Sequence, residues 1–210
     1  AEVAVEELRR AHLFCDDWEQ ASHGGEFTVA VEAGAVSRED VTELGAVLAG
    51  LAHAQNAEII ATVTDAQGRP LADAVVVAVP SDASLRLAGK PRDEAIFQVD
   101  KEFAPKVTPV FLGAAVSFPN NDTVRHHVYS FSPAKKFELP LYQGVPANPV
   151  TFDKPGVVVL GCNIHDWMAA YVVVLDSGFF ARTDEKGVGL LRDVPAGSFS
   201  IVGWCPRLRG

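Results

Sequence analysis

The chain has little positive charge, no long hydrophobic run and only three cysteines. Its 210 residues carry 18 lysines and arginines against 27 acidic residues, so the basic stripe that nucleic-acid binding needs is missing. No apolar run approaches the ~20 residues of a transmembrane helix. If Cys15 is removed with an N-terminal leader, Cys162 and Cys205 remain and could form one disulfide. The low positive charge and the lack of a long apolar run predict that the chain neither binds nucleic acid nor spans a membrane.

The usual catalytic patterns and long amphipathic helices are also missing. No Ser-His-Asp set, carboxylate pair or phosphate-binding loop is evident, so we predict that the chain is not an enzyme. After residue 55, β-branched and alternating runs are separated by Pro and Gly, which is typical of strands and turns. The predicted fold class is all-β.

Residues 1–54 differ from the rest of the chain. They carry 11 acidic and 3 basic side chains, whereas residues 55–210 carry 16 and 15. The short apolar stretch 44–54 ends in Ala52-His53-Ala54, which favours a signal-peptide cleavage site and export. The acidic flank before it argues against a signal, and the alternative is an Ala-rich helix. We predict an irregular or helical leader and assign residues 1–37 no function.

The segment 155–174 carries the clearest chemical pattern. Two apolar, β-branched runs, 157–160 and 171–174, flank a polar loop, which predicts strand–loop–strand. The loop contains Cys162, His165 and Met168. A thiolate, an imidazole and a thioether are soft ligands that suit copper better than magnesium or calcium. A blue-copper site needs a second histidine, which must come from elsewhere in the chain.

Two adjacent histidines, His126 and His127, are candidates for that ligand. Neighbouring side chains of a strand face opposite sides, so only one ring can point at Cys162. Tyr129 and Phe131 lie on the same face as His127, and this apolar pattern alone favours His127 as the inward residue.

The segments 116–131 and 156–174 together resemble the cupredoxins, small blue-copper electron carriers. In that family an aromatic residue and an Asn are followed, six residues after the Asn, by the first copper histidine; from Asn120 this spacing leads to His126. The resemblance covers roughly residues 94–176 and, more narrowly, is similar to periplasmic proteins of the methylamine-utilization type. It implies one type 1 copper bound by His126, Cys162, His165 and Met168.

Two further residues lie close in sequence to the predicted ligands and are candidates for roles around the metal. Asn120 would tie its strand to Asn163 beside the thiolate, or else it simply makes a turn with Pro119. Trp167 would be an exposed docking aromatic beside Met168, or else it packs inward.

The sequence predicts a second, smaller sandwich on either side of the copper segment. Residues 58–64 and 71–80 resemble the opening hairpin of transthyretin-like sandwiches, and 183–202 resemble the closing half. We expect a leader or signal region at 1–54, the first half-sandwich and a linker at 55–93, a Greek-key cupredoxin sandwich at 94–176, and the second half-sandwich at 177–210.

Three functions from different classes fit these residues. The first is a periplasmic carrier of single electrons between redox partners, for example a cytochrome or a dehydrogenase. The second is a copper-delivery protein with a looser site. The third is a structural module held by zinc, which Cys and His also bind. A reversible redox couple separates the first from the second, and an intense thiolate-to-copper absorption separates the first from the third.

Overall fold

The structure is a computed structural model that describes residues 27–34, 57–65, 67–146, 148–195 and 197–206. For residues 27–34 and 86–88 it describes the backbone alone. The described part consists of strands and one 3-10 helix, Ala83–Ala88, and contains no α-helix. This confirms the all-β prediction. None of the described residues forms a helix with the length and hydrophobicity of a membrane span.

The described residues form sixteen strands. In order they are β1 (Phe27–Gly34), β2 (Ala57–Asp65), β3 (Val75–Pro80), β4 (Glu94–Ala95), β5 (Phe97–Val99), β6 (Glu102–Ala104), β7 (Val107–Phe111), β8 (Ala115–Ser117), β9 (His126–Ser132), β10 (Lys135–Tyr142), β11 (Val150–Thr151), β12 (Gly156–Gly161), β13 (Ala169–Leu175), β14 (Phe180–Arg182), β15 (Val188–Val194) and β16 (Phe199–Trp204).

The central part of the chain forms the larger sandwich. A five-stranded sheet of order β10-β9-β12-β13-β7 packs against a three-stranded sheet of order β11-β8-β4. Valines and a leucine of the first sheet share one buried cluster with Val116 of the second and with Phe118 and Phe152, which directly follow two of its strands. The cluster also contains Cys162 and Met168. Because each fully buried Val, Leu or Phe stabilises the fold by ~1.5–3 kcal/mol, this core is a firm support for residues at its end.

The chain segments on either side of this sandwich meet in a second one. One sheet has the order β1-β2-β15 and the other β14-β3-β16. Their common core contains Val63, Val76, Phe179 and Leu191. Strands from before and after the central part pair directly, for instance β3 with β16 over six residue pairs. The exact domain boundaries and the likeness to transthyretin stay predictions.

The smaller sandwich covers part of the larger one. Val75 and Val77 of β3 form a buried cluster with Val107, Val157 and Val173, which lie on the outer face of the five-stranded sheet. The rings of Tyr171 and Trp204 lie 5.4 Å apart in the same contact. The strands that carry the Cys162 loop are therefore packed on both faces.

Part of the N-terminal segment forms a strand, which the sequence did not predict. Residues Phe27–Gly34 form β1, which pairs antiparallel with β2 along its whole length, whereas the sequence had indicated an irregular or helical leader. The physical reason is the alternation of Phe27, Val29 and Val31, which suits a strand beside a neighbour that offers a free edge. The expected signal region 44–54 lies outside the described residues.

Candidate metal centre

The loop 162–168 joins two neighbouring strands at one end of the larger sandwich. β12 and β13 are antiparallel partners from Gly156↔Val174 to Gly161↔Ala169, so the loop begins and ends at opposite positions of one ladder. A backbone hydrogen bond from Met168 N to His165 O, 3.0 Å long, closes the turn inside it. The loop thus holds its side chains above a stiff two-stranded frame, as the sequence pattern had indicated.

His126 joins this loop from the adjacent strand. It is the first residue of β9, which contacts β12 through the pair Gly161↔Tyr129. His126 Nδ1 lies 3.9 Å from Cys162 Sγ, and one donor atom from each of His126, Cys162 and His165 falls within 4.8 Å of the other two. The two imidazole rings are 4.9 Å apart and inclined at 58°. Three metal-ligating groups from two chain segments therefore converge.

The fourth candidate, Met168, is buried in the same core cluster as Cys162. His126 and Cys162 are also buried, and His165 is half-buried. Cys162 is a thiol rather than half of a disulfide, so the disulfide that it could have formed with Cys205 is absent. Of the four candidate ligands, only His165 is not fully buried.

His127 faces the opposite side of β9. Its Nε2 atom lies 3.0 Å from a carboxylate oxygen of Glu138, an ion-pair distance with an angle unsuited to a hydrogen bond. Its ring packs on Tyr129 at 5.7 Å. Of the two adjacent histidines, the structure brings His126 to Cys162, in agreement with the spacing from Asn120 rather than with the apolar pattern.

Asp122 fixes the orientation of His126. Its Oδ2 atom lies 2.7 Å from His126 Nε2, and since an ionised carboxylate only accepts hydrogen bonds, Nε2 carries the proton and Nδ1 offers its lone pair. Burial raises the pKa of Asp122, but hydrogen bonds from Lys101 N, His126 and Asp100 N together hold the pKa below its usual value. The carboxyl is therefore ionised at neutral pH.

His165 supplies an observation that favours a metal at this site. Its Nδ1 atom is buried and has no hydrogen-bond partner among the described residues. A buried polar atom without a partner destabilises a protein by ~1–3 kcal/mol, and a metal bond would satisfy it. With a thiol, two imidazoles and a thioether gathered together, the donor set fits copper.

Asn120 stabilises the segment that leads to His126, in a way different from the one expected. Its Nδ2 donates to Val124 O and Tyr142 O, each at 2.9 Å, and its Oδ1 accepts from Asp122 N at 2.9 Å. No hydrogen bond to Asn163 is among those of the described residues. Asn120 thus braces the loop 120–126 against β10 and positions Asp122.

Tyr142 lies on the other side of His126, its cross-strand partner. Its hydroxyl donates to Phe118 O at 2.6 Å and accepts from Gln98 Nε2. Burial raises the pKa of Tyr142 to about 12, and the proximity of Cys162 adds to the increase, although the Gln98 hydrogen bond acts to lower it. The phenol therefore stays neutral and closes this side of the cluster.

Trp167 is exposed, with 66% of its surface accessible. Its ring lies 5.2 Å from that of His165, and its Nε1 donates to Lys101 O at 3.2 Å. The exposed position agrees with a docking aromatic, and the inward alternative does not hold.

Sequence reasoning missed Asp122 and Tyr142. Asp122 had one available signal, an acidic residue four positions before a candidate ligand in a turn-forming Asn-Asn-Asp run. Tyr142 had none, because its proximity to Cys162 depends on the pairing of β10 with β9.

The chain matches no protein-family model. It is 39% identical over 85 residues to an alanine dehydrogenase of Archaeoglobus fulgidus, a match that covers 40% of this chain and 26% of that protein. Among solved structures it is similar to a copper-containing nitrite reductase of Thermus scotoductus, with 27% identity, a TM-score of 0.37, and 40% of this chain and 23% of that one covered. It is also similar to a purple cupredoxin of Nitrosopumilus maritimus, with 22% identity, a TM-score of 0.35, and 39% and 99% covered.

The chain spans about a quarter of the length of the dehydrogenase and of the nitrite reductase. The nitrite reductase is a copper protein, and the other solved structure is a cupredoxin. With TM-scores of 0.37 and 0.35, these similarities carry no conclusion about function. The methylamine-utilization subtype stays a prediction.

The expectation that the chain is not an enzyme is wrong in view of the match to an alanine dehydrogenase, although the match covers only 26% of that enzyme. The physical reason for the error is that catalytic residues can lie in other parts of a longer protein. Their absence from one stretch of sequence therefore does not exclude enzymatic activity.

Proposed function

We propose that the chain carries a type 1 copper centre that transfers single electrons. His126, Cys162 and His165 are the three strong ligands in this proposal, and Met168 is the weak axial one, the set typical of blue-copper sites. The observation that carries the proposal is the convergence of the three donor atoms within 4.8 Å, at a place where His126 is already oriented by Asp122.

Bound copper would accept and release one electron. The protein's part is to keep both oxidation states in one geometry. The frame of β12 and β13 holds Cys162 and Met168, Asp122 holds His126, and burial limits the access of water to these three ligands. The half-buried His165 and the exposed Trp167 beside it form the surface through which a redox partner protein would exchange electrons.

We further propose that the protein acts after export, in the periplasm, with a cytochrome or a dehydrogenase as its partner. Support comes from the Ala52-His53-Ala54 pattern and from the resemblance to periplasmic blue-copper proteins. The proposed centre would transfer electrons in the same way to a separate partner protein and to another part of a larger copper enzyme.

Voltammetry of the copper-loaded protein tests electron transfer directly. A type 1 centre gives a reversible one-electron wave, because the buried ligands do not rearrange when copper changes charge. A loosely held copper ion gives an irreversible wave and is lost to a chelator on reduction. That second result would contradict the proposal.

A further inference from the structure

The small hairpin formed by β5 and β6 lies at the metal end of the larger sandwich. Its turn residues, Asp100 and Lys101, point their backbone amides at one carboxylate: Asp100 N donates to Asp122 Oδ1 at 2.7 Å, and Lys101 N donates to Asp122 Oδ2 at 2.9 Å. The same Oδ2 also lies 2.7 Å from His126 Nε2. Asp122 therefore connects this turn to His126.

The turn has an unfavourable backbone conformation. Asp100 and Lys101 have φ angles of 54° and 60°, in the left-handed region where a side chain is disfavoured and glycine is preferred. Neither residue is a glycine. The conformation aims both amides at Asp122, and these two hydrogen bonds stabilise it together with the pairing of β5 and β6 on either side of the turn.

The same turn also contacts the loop that carries the other three ligands. The carbonyl oxygen of Lys101 accepts a hydrogen bond from Trp167 Nε1 at 3.2 Å. Trp167 directly precedes Met168, and its ring packs against His165. One two-residue turn is thus bonded, through Asp122 and through Trp167, to both chain segments that supply ligands.

We propose that Asp122 and the turn Asp100–Lys101 form a clamp that holds His126 and the 162–168 loop in their metal-binding arrangement before copper arrives, and that lowers the reduction potential of the centre. The proposal rests on the function proposed above. Asp122 is a positioning residue in it: a carboxylate that accepts from His126 Nε2 makes the imidazole a stronger donor, which favours the oxidised ion.

Asp122→Asn tests the clamp. An amide oxygen cannot replace both carboxylate oxygens, since the NH2 group would face either a backbone amide or the His126 N–H. We expect copper affinity to fall ~10–100-fold, as is usual when a ligand histidine loses its carboxylate, and the reduction potential to rise.

Asp184→Asn is the matched control. Asp184 likewise accepts two backbone amides of a turn, from Lys186 and Val188 at 2.9 Å each, but it lies in the smaller sandwich. We expect its substitution to leave both copper affinity and potential unchanged. An equal change in both variants would show that loss of a capped turn, not the clamp, is responsible.

Nuclear magnetic resonance of the metal-free protein provides a reading that needs no copper. The proton on His126 Nε2 should exchange slowly with water in the wild type and rapidly in Asp122→Asn. Trp167→Phe, which removes the indole N–H but keeps a ring, should broaden the signals of the 162–168 loop. If Asp122→Asn does not fold, Trp167→Phe decides: a metal-free loop as ordered as in the wild type, with an unchanged potential, overturns the clamp.

The outcomes also separate the clamp from the proposed function. A wild type that binds copper without an intense visible band contradicts the type 1 centre. A normal band and wave in the wild type, with unchanged potential, affinity and proton exchange in Asp122→Asn, contradicts the clamp alone.

Discussion

His126 Nδ1 lies 3.9 Å from Cys162 Sγ, although 36 residues separate the two in the chain. The contact exists because β9 lies beside β12 at the pair Gly161↔Tyr129. It leaves His127, the next residue, on the far side of the strand with Glu138. The proposed metal centre requires that His126, and not His127, faces Cys162.

Separate substitutions of His126 and His127 test which of the two histidines is the ligand. We expect His126→Ala to remove the visible band of the copper-loaded protein and added imidazole to restore part of it, because the lost ring leaves an open ligand position. His127→Ala should keep the band. Its contact with the exposed Glu138 stabilises the fold by no more than ~1 kcal/mol. Absorption spectra of the two variants are the measurement, and the reverse pattern would mean that His127 is the ligand.

Met168→Gln tests the axial position. We expect the variant to bind copper and to show a lower reduction potential, since the amide oxygen is a harder donor that favours the oxidised ion. Voltammetry of the variant beside the wild type measures the difference. A potential equal to that of the wild type would mean that Met168 is only part of the core.

A feature of this centre could be predicted from the sequence when it depends only on residues that are close together in the chain. The β-branched runs on both sides of the 162–168 loop and the spacing of its three ligands are local, and the structure shows the expected strands and loop. The proximity of Asp122 to His126 had a local signal, but its bonds to the Asp100–Lys101 turn were not predictable because Asp100 lies 22 residues earlier. Likewise, Tyr171 faces Trp204 only because the two sandwiches pack together. Apolar alternation was misleading at His127, since Tyr129 and Phe131 lie on an outer face; Phe131 is 76% exposed.

Tyr142→Phe should change how stability depends on pH. The pKa of Tyr142 is raised from 10.0 to about 12 in the folded protein, so the folded state favours the neutral phenol. That contribution is fully present below pH 10 and is lost as the pH rises through about 12. Below pH 10 we expect the variant to be less stable by ~0.5–1.5 kcal/mol, the worth of the hydrogen bond to Phe118 O. Chemical unfolding at several pH values should show this difference shrinking between pH 10 and 12. A constant difference would contradict the raised pKa.

Gly187→Ala should separate the stability of the smaller sandwich from the metal site. Gly187 has a φ of 73°, and an added Cβ would overlap the Val63 carbonyl oxygen. We expect destabilisation by more than the ~1 kcal/mol that the backbone conformation alone gives, with an unchanged copper spectrum. Gly68→Ala is the control, because its φ is 78° and no atom lies within 4 Å of an added Cβ. Thermal unfolding compares the two; equal losses would show that Gly187 is needed for its conformation alone.

The absorption spectrum of the copper-loaded protein tests the central claim most directly. A thiolate bound to oxidised copper at a His2Cys site is expected to give an intense visible band that disappears on reduction. We predict that band in the wild type and its complete loss in Cys162→Ser, because a hydroxyl cannot replace the soft thiolate. A wild type that binds copper without the band, or a Cys162→Ser variant that keeps it, would contradict the assignment of Cys162 as a copper ligand.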